Sequence, residues 1–380
     1  MVQSPVLGRQ GAVAAPEGHP EAGVPWHFGD PFAEQRAAVR SAALIDRSHR
    51  QVLAVTGSDR LSWLHLVISQ HVTELADGSG TEALILDAHG RVESHLVLAH
   101  TTLDGEPTVL LDTEAGAEIT SALPKGGPQS LLEYLDAMRF WSDVAVSDVT
   151  EDWALLTLLG PHADVTLDEL DLDLDLDSER YAVAAGSGAV ARRMSCPAPG
   201  GIDLLVPRAE LLDWWQRLVA AGAREAGSWA FDALRVESMR PRRGVDTDER
   251  TIPHEVGWIG SAAHVAKGCY RGQETVSKVF NVGRPPRNML LLHIDGSQEI
   301  YPETGDPVLH NDRTVGRVGT VVQHHELGPI ALALIKRSVP ADAELFAGQD
   351  DRMAQAAIDP DSVPEEGPAP GRAAVHRLRG

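Results

Sequence analysis

"AKGCYRGQETV", Ala266 to Val276, sets a cysteine between two cations and two glycines, just ahead of a run with helical spacing. Gly268 and Gly272 allow the backbone to turn tightly and to approach another segment closely. They do not form a phosphate loop, because Gln273 and Glu274 stand where that pattern needs Lys and Ser or Thr. The continuation "QETVSKV" predicts a helix starting just after Gly272, with Glu274 and Lys278 at i,i+4 spacing. A thiol ahead of a helix start, beside Lys267 and Arg271, lies in positive potential that favours thiolate. Cys269 therefore has two readings: an activated thiol, or a small apolar residue packed in a Gly-x-x-x-Gly turn. The chain has two cysteines, so Cys196 is the one other thiol that could act with it.

Upstream, "WAFDALRVESM" places Ala230, Ala233, Leu234 and Glu237 at i, i+3, i+4 and i+7, one helical face that is otherwise apolar. A carboxylate on such a face is costly to bury unless it is paired. Glu237 either pairs with a neighbouring arginine such as Arg240, or receives a ligand with two adjacent N–H donors, such as the amino-pyrimidinone edge of a pterin. Arg235, Arg240, Arg242 and Arg243 lie within a few residues of Glu237 and make a local cationic patch. On an acidic chain such a patch suits a small anionic ligand or ion pairs with the acidic face.

Outward from this core the order of elements reads as α+β. Asp30 and Pro31 open a helix through "PFAEQRAAVRSAAL", "QVLAVTG" alternates as a strand, and Ser58 caps the helix "DRLSWLHLVIS". "EALILD", the turn "AHGR" and "VESHLVLAH" form a hairpin, followed by the strand "PTVLLDT" and a helix over "EAGAEITSALPK". A second block repeats the flavour: "WALLTLLGP", "AVAAGSGAVARRM" and "GIDLLVP" as strands, then the amphipathic helix "RAELLDWWQRLVAAG". From Arg287, short strands separated by Gly, Asn-Asp and Pro turns predict a small β-barrel. The resulting division is a flexible leader at 1–29, α+β units at 30–145 and 146–286, a barrel at 287–360 and a disordered tail at 361–380.

Bulk properties narrow the classes of function. The 33 Lys and Arg against 55 Asp and Glu leave a formal charge of −22, which speaks against a direct DNA or tRNA surface. Apolar runs such as "ALLTLL" fall far short of the roughly 20 residues of a membrane helix. With no basic start leading into an apolar run, and with few cysteines, the expectation is a cytoplasmic protein without a membrane partner. No metal site is expected: the neighbours His324, His325 and Glu326 alternate in direction on a strand and cannot share an ion.

Taken together, "KGCYRGQE", Lys267 to Glu274, resembles the signature of the YgfZ branch of the folate-binding superfamily that includes the glycine-cleavage T-protein, an aminomethyltransferase. "ALRVESMRPRRGVDTDERTIPHEVG" is similar to that superfamily's run from a folate-contacting Glu through Gly-x-Asp to Pro-x-Glu, and "SAALIDRSHRQVLAVTGSDRLSWLHLVIS" is similar to its N-terminal stretch. The resemblance implies a three-domain ring around a central channel, two α+β domains plus the C-terminal barrel, with tetrahydrofolate or a derivative in the channel. It implies Glu237 as the pterin-gripping residue, with Arg243, Lys267, Tyr270 and Arg271 as further folate contacts and Cys269 as a reactive thiol. Aminomethyltransferases of the superfamily carry Asp in a hairpin resembling "GGIIDDLIV", whereas "GRVESHLVL", Gly90 to Leu98, has Ser94 and His95 there. That departure points away from glycine cleavage. The function implied is a folate-binding accessory to iron–sulfur cluster assembly or repair, with iron–sulfur enzymes or assembly proteins as partners and an indirect effect on tRNA modification. The alternative is a folate-dependent aminomethyl transferase or demethylase.

Overall fold

A computed structural model describes residues 3–120 and 127–364. It contains seven α-helices among these residues: α1 (Pro31–Arg40), α2 (Arg60–Val67), α3 (Leu131–Ala137), α4 (Ala163–Asp168), α5 (Leu211–Ala220), α6 (Ser228–Glu237) and α7 (Gln273–Asn281). Asp30 caps α1 through its side chain, which accepts from the amides of Phe32 and Ala33, and Pro31 occupies the first turn.

Strands assemble into a five-stranded sheet, a six-stranded sheet and a closed six-stranded barrel. The five-stranded sheet runs in the order 145–148, 51–56, 106–113, 92–103, 79–86 and is antiparallel throughout. Its long hairpin turns at Asp87, whose Oδ1 accepts from the amides of His89 and Arg91 at 2.8 Å each. Strand periodicity then sorts the return strand: Leu96 and Leu98 enter a core with Leu53, Val55 and Trp63, while His95 and Val97 face the other way. The barrel is built by 287–294, 307–310, 313–324, 328–336, 345–347 and 354–358.

Three expectations are corrected here. Residues 3–29 are not a flexible leader, because Val6 is fully buried in a core with Trp214 and Trp215, and the Ser4 hydroxyl donates to Asp46. The strand 43–46 lies in the six-stranded sheet, paired antiparallel with 153–159 and parallel with 224–226, so the chain crosses between sheets earlier than its order suggests. The expected helix over 114–125 is a turn and a short strand, Glu118–Ile119, with 121–126 outside the described residues. Gly116 at φ 70° breaks any helix there. The tail expected at 361–380 lies outside the described residues from 365 onward.

The motif-bearing loops act as joints between these parts. Asp246 accepts from the Thr320 amide at 2.6 Å, the Arg242 amide at 2.7 Å and Arg235 at 2.7 Å, tying the post-α6 loop to the barrel. Glu255 accepts from Arg287 at 2.7 Å and fixes the barrel's first strand to the same segment.

Candidate functional site

The loop of Ala266 to Gly272 docks on the hairpin turn. Gly272 has φ 79°, and a Cβ there would stand 2.6 Å from the Asp87 carbonyl oxygen and from Gly90 Cα. Only glycine at this position lets the two turns meet. Lys267 is buried, and its ammonium donates to the carbonyls of His65, Ile68 (2.6 Å) and Gln70 (3.1 Å), closing the C-terminal end of α2. Burial pushes its pKa down to about 8, against the three carbonyls that favour the charged form. Tyr270 packs beneath it, 5.1 Å from ring centroid to ammonium, with burial raising its phenol to about 12. Arg271 reaches the Tyr134 hydroxyl. Cys269 is exposed at the tip. The cations that flank it in sequence are thus engaged elsewhere.

Glu237 is not on a buried face. It is the last residue of α6, its side chain is 42% exposed, and its nearest ionic partner is His324 at 3.3 Å. That hydrogen bond, outweighing partial burial, lowers its pKa.

What the fold does bring together is a central cavity between the two sheets and α6. Its walls include Arg47, His49, Arg50, His95, Asp112, Cys196, Asp203, Asp232, Arg235, Arg240, Arg242 and Arg243. Arg243 is the sequence-picked residue that lines it, with its guanidinium donating to the Glu118 carbonyl at 3.3 Å. Charges here are paired in a chain. Asp112 bridges Arg50 and Arg192 at 2.7 Å each, and Arg192 reaches Asp203 at 2.8 Å. Arg242 holds Glu21 at 2.9 Å and Glu114 at 2.8 Å. Burial alone would raise the Asp112 carboxyl, but Arg192, Arg50 and Arg47 bring it down to about 2. About 60 Å³ of free room remains, roughly two waters' worth.

Three groups in this wall lack hydrogen-bond partners in good geometry: Glu21 Oε2, His49 Nδ1 and Asp112 Oδ1, the last still ion-paired with Arg192. Burial, aided by Arg242, keeps His49 well below its usual pKa and therefore neutral. Since Arg242 can only donate to His49 Nε2, at 3.4 Å, the ring proton sits on Nδ1 as a buried donor without an acceptor. Glu21 is raised by burial and by Asp232.

The hairpin adds a second polar unit. Glu82 accepts from His95 Nε2 at 2.8 Å and from Arg240 and the Tyr181 hydroxyl. Burial would raise Glu82, but hydrogen bonds from His95, Arg240 and Tyr181 hold it well below the usual carboxylate range. His95 stacks on Trp258, with centroids 4.9 Å apart and planes 9° off parallel. Ser94 faces the opposite side, against Thr113. Glu93, unpaired at a bulge in this hairpin, accepts from the Thr120 amide and hydroxyl at 2.9 Å.

Asp232, Arg235 and Arg242 form a wall shared with a chamber of about 520 Å³. Trp26 and Trp229, stacked at 4.5 Å, line it together with His19, Tyr301, Thr320 and Val322. Sequence reading missed Cys196, Glu82, Asp203 and the tryptophans. The hairpin register could have placed Glu82 and His95 on one face, but no local pattern joins Glu82 to Arg240.

Two α+β sheets enclosing a charged cavity, together with a closed barrel, define a protein with the glycine-cleavage T architecture. The chain belongs to the GCVT N-terminal domain family, whose model matches residues 6–264. It is 32% identical over 241 residues to an aminomethyltransferase of Rubrobacter xylanophilus, covering 62% of this chain and 60% of that relative. An aminomethyltransferase of Thermotoga maritima is 26% identical over 333 residues, 85% of this chain and 86% of the relative. The crystal structure of the glycine cleavage system aminomethyltransferase T from Bartonella henselae superposes with a TM-score of 0.78 at 18% identity, over 94% of this chain and 96% of that one. Among the described residues, no helix is long and apolar enough to cross a membrane, and no cluster of His, Cys, Asp or Glu is arranged to hold a metal.

Proposed function

We propose that the chain binds a reduced folate where the central cavity and the aromatic chamber meet, and uses it in one-carbon transfer. One observation carries this reading: the same buried wall holds a His49 Nδ1–H and a Glu21 Oε2 that lack hydrogen-bond partners in good geometry, next to a chamber large enough for aromatic rings. A pterin carries both an acceptor and donors on its ring edge, which is what an unpaired N–H and an unpaired carboxyl oxygen in one wall call for. The stacked Trp26 and Trp229 suit the p-aminobenzoyl ring. With about 60 Å³ now free in the central cavity, entry of the pterin displaces side chains from its wall. Relatives named aminomethyltransferase support transfer of an aminomethyl unit.

When bound, the folate would supply a nucleophilic nitrogen for the one-carbon unit. The chain's own residues would orient it: His49 and Glu21 grip the ring edge, and the Asp232–Arg235–Arg242 wall holds the two compartments in register. Chromatographic detection of 5,10-methylenetetrahydrofolate, formed from tetrahydrofolate and an aminomethyl donor, tests the reading. Turnover supports transfer, and a protein that binds folate but turns over no aminomethyl donor contradicts it.

A second reading is a YgfZ-type accessory role in maintaining iron–sulfur enzymes, with Cys269 as its contact or reactive group. Its support is the placement of that thiol, exposed on a loop pinned by Lys267 and Gly272, together with Ser94 and His95 at the hairpin. Cys269→Ala that leaves folate binding intact but removes protection of an iron–sulfur client would favour it. Unchanged protection would refute it.

A further inference from the structure

We infer that His95 is held as a single neutral tautomer and presents an unprotonated Nδ1 to the central cavity as the acceptor of a ligand N–H proton. The inference rests on the folate reading for the identity of that ligand. The geometry begins on the hairpin, where Leu84 pairs with His95 and Glu82 with Val97, so that Glu82 and His95 share one face. Glu82 is ionised and can only accept, so the 2.8 Å contact requires the proton on His95 Nε2. Stacking on Trp258 fixes the ring plane. Nδ1 makes no hydrogen bond among the described residues and is not among the sealed, unpartnered atoms, and His95 lines the cavity. Its lone pair is thus open to a ligand.

The groups around the ring fit a base that takes a proton and gives it up again. Burial disfavours the imidazolium, Glu82 favours it, and Arg240 and Arg50 disfavour it. Tyr181 and Arg180 also converge on Glu82 and limit how far it can follow the ring. In the proton transfer, the N–H bond of a ligand nitrogen in its cationic, ammonium form breaks, its electron pair stays on the now neutral nitrogen, and a new Nδ1–H bond forms. The positive charge passes to the imidazolium facing Glu82. A carboxylate at this position would accept a proton as an anion becoming neutral. Here the acceptor is neutral and becomes a cation, with its counter-ion already buried beside it.

The test is ¹⁵N NMR of histidine-labelled full-length protein, with the His95 signal assigned by its loss in His95→Asn. At neutral pH without ligand, the expected pattern is a protonated Nε2 and an unprotonated Nδ1. An Nδ1–H tautomer or an imidazolium would overturn the inference. Glu82→Gln should release the lock and give mixed tautomers; a wild-type pattern in that variant would remove Glu82 from the account. Tetrahydrofolate is then added, with binding followed separately by calorimetry. A shift of Nδ1 on binding supports the role. Binding without a shift overturns this role and leaves the folate reading standing, whereas absence of binding overturns the folate reading and the role together.

Discussion

At the residue scale, position within an element decides what a side chain can do. Glu237 has the helical spacing of a core residue, yet α6 ends on it and no following turn covers it. Glu237→Gln should change stability by no more than about 0.5 kcal/mol in a thermal melt. Glu82 is the opposite case, 1% exposed with cations and a phenol converging on it. Removing its charge strands Arg240, and Glu82→Gln should cost about 3–5 kcal/mol, read from the urea midpoint. Spacing showed that a carboxylate and an arginine cluster stood near each other, but which carboxylate met which arginine was set by a contact between residues 82 and 240, beyond any local pattern. The same limit hid Cys196: the thiol in the conspicuous octapeptide lies at an exposed tip, and the inconspicuous one lines the cavity.

At the element scale, much was legible. The Asp30 cap, the hairpin turn, α5 through α7 and the barrel strands follow from turn chemistry and periodicity acting over a few residues. The expected Ser58 cap of α2 does not form: Asp59 stands at the N-cap and the Ser58 hydroxyl donates to Asp143 instead. Elements that depended on distant partners were less so: the strand 43–46 reads as the end of a helix until the strand 153–159 claims it. "KGCYRGQE" was legible as a tight turn into a helix, but the hairpin it packs against was not. That packing is testable. In Gly272→Ala, the positive φ costs about 1 kcal/mol and the clash with Asp87 and Gly90 about 1–3 kcal/mol more. Hydrogen exchange should quicken at α7 and at the 87–91 turn together. Loss of protection at α7 alone would contradict the docking.

At the scale of the whole molecule, the buried ion-pair chain and the neutral histidines set the response to acid. His254, brought by burial to about 4, and His49 and His95, also lowered, stay neutral in the folded state. Unfolded, they bind protons below about 6.5, so their stability contribution is complete above that pH and falls as pH drops below it. Asp112 and Asp248, each near 2, together with Glu82 and Glu114, which are lowered further, contribute above about 4 and lose that contribution as pH falls toward 2. Glu21 and Asp46, raised by burial, oppose this trend. The melting temperature should therefore rise slightly from pH 7 to 8, where the buried Lys267, with its pKa near 8, begins to shed its proton, decline gently below 6.5 and collapse below 4. The central claim, a folate at the junction of cavity and aromatic chamber, is tested most directly by calorimetric titration of tetrahydrofolate into the full chain, its Trp229→Leu variant and its Glu237→Gln variant. The account predicts saturable one-to-one binding, weakened at least tenfold by Trp229→Leu and unchanged by Glu237→Gln. No binding by the wild type, or binding that Glu237→Gln abolishes while Trp229→Leu leaves it intact, would contradict it.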